Sequence, residues 1–255
     1  MKDVIRTQSL RFSIDDKLIL NEISIKVKEG KTVGIIGPNG SGKTTFLKHI
    51  YRTLPVEKEK IYIEGMAIEN IGYKDTAKKL AVLKQENTSD FDFSVWDMVL
   101  LGRAPYHNYF EEYNEKDKKI AEKALFQVGM EELKDKSFHT LSGGEKQRVL
   151  MARAIVQETD IFIMDEPTNH LDVHYQWSIM EMISKMEKTI LGVFHELNLA
   201  SRFCDYLYVL ENGKIVAQGE PKDVVTSKLM GDVFNVKANI TEVEGHPYII
   251  FYGSK

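Results

Sequence analysis

Eight residues constrain this chain more than any others: Gly37-Pro38-Asn39-Gly40-Ser41-Gly42-Lys43-Thr44 fits G-x-x-x-x-G-K-[ST] at every fixed position. The run before it, Thr32-Val33-Gly34-Ile35-Ile36, is short, apolar and partly β-branched, the character of a buried strand. The run after it, from Thr45 to Tyr51, sets Phe46, Leu47 and Ile50 on one side at helical spacing. Strand, glycine loop and helix is the context in which this pattern cradles phosphate. The glycines let backbone N–H groups turn inward, and the helix N-terminus adds its partial positive charge. In such a cradle the Lys43 ammonium reaches the β- and γ-phosphates and the Thr44 hydroxyl takes a Mg²⁺ position, with Thr45 next on the helix. The flanking elements argue against a glycine-rich turn that matches by chance.

At 255 residues the chain suits one large α/β domain or a core with an inserted subdomain. A net charge of −4 lacks the basic footprint of a nucleic-acid binder. Cys204 is the only cysteine, so no intrachain disulfide forms and a reducing compartment fits. The start, MKDVIRTQSLRF, has no apolar signal-peptide core. No apolar run approaches the roughly 20 residues that span a bilayer. Membrane contact is therefore expected through a partner.

Residues 3–29 read as β-structure, with Val4-Ile5, Leu10–Phe12 and Leu18–Leu20 as short strands. Ile23, Ile25 and Val27 alternate with polar residues as one half-buried strand. Lys60–Gly65 reads as strand and turn, Tyr73–Lys79 as helix, and Leu80–Leu83 as a buried strand ending at Gln85. From 86 to about 150 the chain turns charged and helix-rich, with Phe91, Phe93, Trp96, Tyr106, Tyr109, Phe110 and Tyr113; this reads as an inserted helical subdomain. Within it, 114–129 is an amphipathic helix, and the Lys-rich part from Glu115 to Lys123 is a solvated face. Ile161–Met164, Thr189–Phe194 and Tyr206–Leu210 are further buried strands, and Asn212-Gly213 is a hairpin turn. Residues 221–255 are expected to give a helix from Pro221 to about Phe234 and a final strand at Tyr248–Tyr252.

A second chemical signal is Ile161-Phe162-Ile163-Met164-Asp165-Glu166, a buried strand delivering two carboxylates at its C-terminal end. Asp165 suits Mg²⁺, and Glu166 is free to polarise a water for attack on a γ-phosphate. The third is Leu141-Ser142-Gly143-Gly144-Glu145, which opens a helix running to Ile155 and forms a second anion-binding start. In isolation that stretch is better explained by a plain N-cap with a glycine loop. One nucleotide does not need two cradles in one chain, so a head-to-tail dimer, with this segment capping a nucleotide held by the other copy, reconciles them.

GPNGSGKT, LSGGEKQR, IFIMDE, Asn169-His170-Leu171-Asp172 and His195 stand in the order and spacing of the ATP-binding-cassette (ABC) ATPases, and the chain resembles that family over nearly its whole length. The resemblance implies a phosphate-loop ATPase core, an antiparallel β-subdomain and an inserted helical subdomain. It implies ATP and Mg²⁺ as ligands, with Gln85 near the metal, residues 169–172 crossing a dimer interface and His195 contacting the γ-phosphate. Val99–His107, with its GR-x-P-[WY]-H segment, is similar to the ATPase subunits of importers for ferric siderophores, haem and vitamin B12. That implies a permease, a substrate-binding protein and a peripheral place on the cytoplasmic face of the membrane, with no nucleic-acid partner. It also leads to the expectation that the region from Trp96 to Phe110 docks a permease helix through whichever of Arg103, Tyr106 and His107 are exposed, the alternative being that Trp96, Tyr106 and Tyr109 are the subdomain's own core. The family usually stacks adenine on an aromatic ring where this chain has Ile14, which offers only apolar packing; Phe12, two residues earlier on the strand, shares its face and either assists or belongs to the core. His170 and His174 are four apart, but no third metal ligand is near them. The main rivals are a non-transport ABC ATPase and a non-catalytic nucleotide-gated module.

Overall fold

The structure, a computed structural model, describes residues 2–84, 92–108, 111–169 and 171–254. In chain order its strands are β1 (Asp3–Thr7), β2 (Leu10–Ile14), β3 (Lys17–Ile23), β4 (Lys26–Lys28), β5 (Thr32–Ile36), β6 (Ile61–Ile63), β7 (Met66–Ala67), β8 (Leu80–Lys84), β9 (Ile161–Asp165), β10 (Thr189–Val193), β11 (Tyr206–Glu211), β12 (Lys214–Gly219), β13 (Val236–Val243) and β14 (His246–Ser254). Its helices are α1 (Lys43–Ile50), α2 (Tyr73–Lys79), α3 (Val95–Leu100), α4 (Glu115–Gln127), α5 (Gly143–Ile155), α6 (Val173–Ser184), α7 (Leu197–Phe203), α8 (Pro221–Val224) and α9 (Ser227–Val233). The chain folds as two compact units, one of Met1–Ile71 with Met182–Lys255, the other Gly72–Glu181. The class is α/β, as expected. No helix among the described residues is long and apolar enough to cross a membrane.

In the first unit β5 lies between β10 and β11 and runs parallel to both, with β12 antiparallel on the far side of β11. Val33, Ile35 and Ile36 are each 2% exposed or less, and burying an aliphatic side chain of this size is worth about 1.5–3 kcal/mol. That fixes the strand feeding the glycine loop. A second, antiparallel sheet has the order β4-β1-β6-β7. The expected single strand through Ile23, Ile25 and Val27 is divided: Ile23 pairs with Leu10 of β2, whereas Val27 pairs with Ile5 of β1. All three are buried; the apolar alternation is real, but the strand changes sheets partway. The Asn-Gly hairpin forms, with Glu211 paired to Lys214 and left-handed φ at Asn212 (47°) and Gly213 (73°).

The expected helix from Pro221 to Phe234 is two helices. Thr226 interrupts it, its hydroxyl accepting from the Leu229 N–H at 3.1 Å as the N-cap of α9. The tail also carries a strand that the reading above omitted, β13, antiparallel to β14. Its signal was available in the alternation of Val236, Ala238 and Ile240 and in the Glu244-Gly245 turn.

The second unit holds the parallel pair β8–β9, with Lys84 opposite Asp165, and helices α2 to α5. α4 opens with a capping box in which Asn114 and Asp117 bond each other's backbone N–H. α5 opens with another, between Ser142 and Glu145.

Candidate functional site

The first unit contains the glycine loop. Gly37 has φ 153°, and a Cβ there would lie 2.0 Å from the Leu210 carbonyl oxygen, so only glycine fits. Gly42, at φ 104°, turns the loop into α1, whose first turn has no side-chain cap and no acidic residue. Its leading N–H groups therefore face the loop unopposed by a carboxylate. Lys43, 6% exposed, donates from Nζ to the Gly37 carbonyl at 2.8 Å and the Pro38 carbonyl at 3.0 Å. The β11–β12 turn braces the loop: the Gly213 N–H donates to the Ser41 carbonyl at 3.1 Å. Ser41 is 2% exposed, and its hydroxyl has no hydrogen-bond partner. A buried orphan hydroxyl, uncapped helix N–H groups and a lysine at one loop fit a phosphate group.

His195 follows β10 in the same unit. Val193 stands opposite Ile35 in the parallel register, and the Phe194 N–H donates to the Ile35 carbonyl at 3.1 Å. His195 and Gly37 each come two residues beyond that pair, so both leave the same end of adjacent strands. The imidazole is half exposed, 4.0 Å from Glu196 Oε1.

Phe12 and Ile14 do not share an environment. The β2–β3 register shifts between Phe12 and Ser13, which breaks the two-residue period. Phe12 is half-buried with its ring edge-on to His49, centroids 4.5 Å apart, while Ile14 is 52% exposed. His49 Nδ1 lies 2.8 Å from the Pro55 carbonyl oxygen, and its Nε2 is buried without a partner. Burial pushes the imidazole below its ordinary pKa against that hydrogen bond.

In the second unit Asp165 ends β9 and is 6% exposed. Glu166 then takes a left-handed backbone, φ 52°, a conformation that costs a non-glycine residue about 1–2 kcal/mol. Asn169 repairs this locally: its N–H donates to the Glu166 carbonyl at 3.2 Å and its side-chain amide to Glu166 Oε2 at 2.8 Å. Gln85, the expected metal-proximal glutamine, lies outside the described residues, as do Phe91, Tyr109, Phe110 and His170. Among the described residues no three metal-binding side chains cluster.

Ser142 and Gly143 are exposed at the start of α5. The Ser142 N–H and hydroxyl both donate to Glu145 Oε2, at 2.8 and 2.7 Å. The side-chain and backbone bonds from Ser142 hold the Glu145 carboxyl below its usual pKa. A carboxylate thus already occupies this helix start. Gly144 has a packing reason, since a Cβ there would stand 2.9 Å from the Tyr175 ring.

Two of the docking candidates, Arg103 and His107, are buried, 4% and 9% exposed, and so are not available as contacts. Arg103 donates to Asp117 Oδ1, to the Val156 carbonyl and to Glu158 Oε2, each at 2.8 Å, and stacks on the Tyr106 ring at 4.1 Å. His107 Nε2 stands at ion-pair distance from Asp117 Oδ2, 2.8 Å, outside hydrogen-bond alignment. Sequence reasoning missed Asp117 as the hub of this cluster. Burial alone would raise its carboxyl, but the Arg103 hydrogen bond, the Asn114 N–H and the His107 and Arg103 charges outweigh burial and hold it low. Of the three expected contact residues, Tyr106 is the one with an exposed face.

Residues 20–169 match the ABC transporter family (ABC_tran). The chain belongs to that family. It is 35% identical over 238 residues to the iron(3+)-hydroxamate import ATP-binding protein FhuC of Bacillus subtilis (strain 168), covering 92% of this chain and 88% of that one. It is 32% identical over 255 residues to the ferric enterobactin transport ATP-binding protein FepC of Escherichia coli (strain K12), covering 98% and 94%. Among solved structures it resembles the dimeric post-hydrolysis state of the cassette MJ0796 bound to ADP and Pi, with TM-score 0.74, 25% identity and coverage of 85% and 98%.

Proposed function

We propose that this chain is the ATP-hydrolysing subunit of an importer that carries an iron chelate (a ferric siderophore), haem or cobalamin through a separate permease. The observation that carries the ATPase reading is the glycine loop with its orphan Ser41 hydroxyl and the Lys43 ammonium. The cargo class follows from relatives named for hydroxamate and enterobactin iron.

In this reading residues 37–45 cradle the phosphates, with Lys43 on the β- and γ-oxygens. Thr44 and Asp165, with Gln85, offer the hard oxygen donors that suit Mg²⁺. The ion supplies charge neutralisation at the phosphates. Glu166 accepts a proton from the attacking water as its oxygen bonds the γ-phosphorus and the bond to the ADP oxygen breaks. His195 contacts the γ-phosphate from the same strand ends as the loop. Ser142, Gly143 and Gly144 of a second copy cap the nucleotide in a head-to-tail homodimer, for which the dimeric ADP-bound cassette is the support. The dimer sits on the cytoplasmic face of the membrane, bound to permease subunits that receive cargo from a substrate-binding protein.

The test pairs two measurements. The purified chain should release phosphate from ATP with Mg²⁺, and deleting its gene should abolish uptake of a radiolabelled ferric hydroxamate, ferric catecholate, haem or cobalamin. Phosphate release without loss of any of these uptakes would overturn the cargo. No phosphate release, alone or with the permease, would overturn the ATPase.

A further inference from the structure

The C-terminal ribbon closes one side of a cavity that the nucleotide machinery does not use. Its tip is fastened to α7 at several points. The Asn198 amide donates to the Ile249 carbonyl at 3.2 Å and accepts from the Ile249 N–H at 2.8 Å. Ser201 Oγ donates to the Pro247 carbonyl at 2.5 Å, and Arg202 pairs with Glu244 at 2.7 Å. These bonds fix the turn at Gly245 and His246 beside the N-terminal ends of β5 and β11. Across from it stands β4. Tyr208, 5% exposed, holds that strand by donating to the Lys26 carbonyl at 3.2 Å and accepting from the Lys26 N–H at 3.0 Å. Val27 is buried on one face of β4, and the two-residue period turns Lys26 and Lys28 to the other, where both line the cavity.

The space is about 860 Å³, within the roughly 300–1,000 Å³ of small-molecule sites. Its charges do not cancel. Lys31 is paired with Asp205 and Lys222 with Glu220, each at 2.7 Å. Lys26, Lys28 and His246 have no hydrogen-bonded acid among the described residues, and Asp3 is the one other acid on the wall. Asp3 stands opposite Lys28 in the β1–β4 ladder, so the lining carries four lysines against three carboxylates, with His246 beside them; that positive excess, in a chain of net charge −4, favours an anion. The half-buried Tyr206 ring, 5.2 Å from that of Tyr208, adds an apolar surface.

We infer that this cavity binds a small polyanion, a molecule carrying two or more phosphate or carboxylate groups, held by Lys26, Lys28 and His246. It is separate from the glycine loop. Val33 lines the cavity, and Gly37 lies four residues on, just past the end of β5, about 13 Å at 3.3 Å per residue.

Lys43→Ala removes the glycine loop as a competing anion site, so the full-length variant is the protein to titrate. Pyrophosphate and tricarballylate, each without Mg²⁺, are the probes for phosphate and carboxylate chemistry. Calorimetry should give saturable one-to-one binding of at least one probe, and the His246 ring proton resonance should shift in step. Adding Lys26→Met and Lys28→Met should weaken binding at least tenfold, and raising KCl should weaken it in the unmodified cavity. If the double methionine variant does not fold, His246→Ala is the second variant and should weaken binding with the melting midpoint kept. Absence of saturation at millimolar probe, an unmoved His246 resonance, or unchanged affinity in the folded variants would overturn the site.

Discussion

Replacing Arg103 by leucine separates a structural residue from a docking residue. The Arg103–Asp117 pair has side chains 5% and 2% exposed. Removing one member of a buried pair leaves a carboxylate without its main counter-charge, which costs about 3–5 kcal/mol. The Glu158 contact adds little, because that carboxylate is half exposed and exposed pairs are worth about 0–1 kcal/mol. The Val156 carbonyl loses its guanidinium donor too, and a net hydrogen bond of this kind is worth about 1 kcal/mol. Counting mainly the ion pair, Arg103→Leu should lose about 3–5 kcal/mol, a fall of about 6–20 °C in melting midpoint at roughly 2–4 °C per kcal/mol. Asp117→Leu should lose a similar amount. The double variant should recover a large part of the sum, because it leaves neither charge orphaned. Urea unfolding and thermal melts, both followed by circular dichroism on the three variants, measure the free energies and the midpoints. An Arg103→Leu protein with the native midpoint that fails to bind its permease would refute the reasoning and restore Arg103 as a contact.

Lys43→Ala should abolish nucleotide binding while the fold persists with a loss of about 1–2 kcal/mol, since two hydrogen bonds from a buried ammonium go with it; nucleotide titration and a thermal melt check both. Glu166→Gln should bind Mg²⁺–ATP without turnover and accumulate as a dimer in sedimentation with ATP, whereas a persistent monomer at high concentration would contradict the head-to-tail arrangement. His49 has a folded pKa below its ordinary value near 6.5, so the unfolded chain binds the proton first. Its contribution is present above about pH 6.5 and lost as pH falls toward the folded value. His49→Gln, which keeps a donor for Pro55, should flatten the stability slope between pH 7.5 and 5 by up to about 1.4 kcal/mol per pH unit, and urea midpoints at the two pH values decide it.

What the sequence discloses and what it hides divide along the range of the interactions. The glycine loop, the Asn212-Gly213 turn and α4 with its Asn114 cap are local patterns, and the chain forms each where the residues point. Ile23 and Val27 show the first kind of loss. Their alternation reports burial faithfully, but burial does not say which sheet a strand joins, and these two join different ones. Thr226 shows the second. It sits in a stretch that otherwise reads as one helix, and its side chain competes with the backbone for the Leu229 N–H. Asp117 shows the third. It lies in a lysine-rich run whose lysines are exposed, yet it is 1% exposed itself because Arg103 reaches it from fourteen residues away. A charge pattern along one helix cannot reveal a partner on another element, so Asp117 passed for part of a solvated face.

The proposed nucleotide residues share a property that bears on how tightly they hold phosphate. Lys43 is bonded to two loop carbonyls, the Ser142 hydroxyl to Glu145, and the Glu166 carboxylate to Asn169. A ligand that engages them exchanges one hydrogen bond for another, and the net gain per exchange is a fraction of the bond's full strength, about 0.5–1.5 kcal/mol. The Ser41 hydroxyl has no such bond to surrender, so a phosphate oxygen meeting it gains the contact outright and removes an unsatisfied buried group. Ser41 and the uncapped N–H groups of α1 should therefore add directly to the affinity that the Lys43 charge supplies, while Ser142 and Glu166 contribute through geometry and through charge that matters most as bonds change. The start of α5 carries the largest opposing term, because the Glu145 carboxylate must give up two donors and tolerate a second anion beside it. A segment so well satisfied by itself makes a weak phosphate site alone, and is better suited to close over a nucleotide already held on another copy.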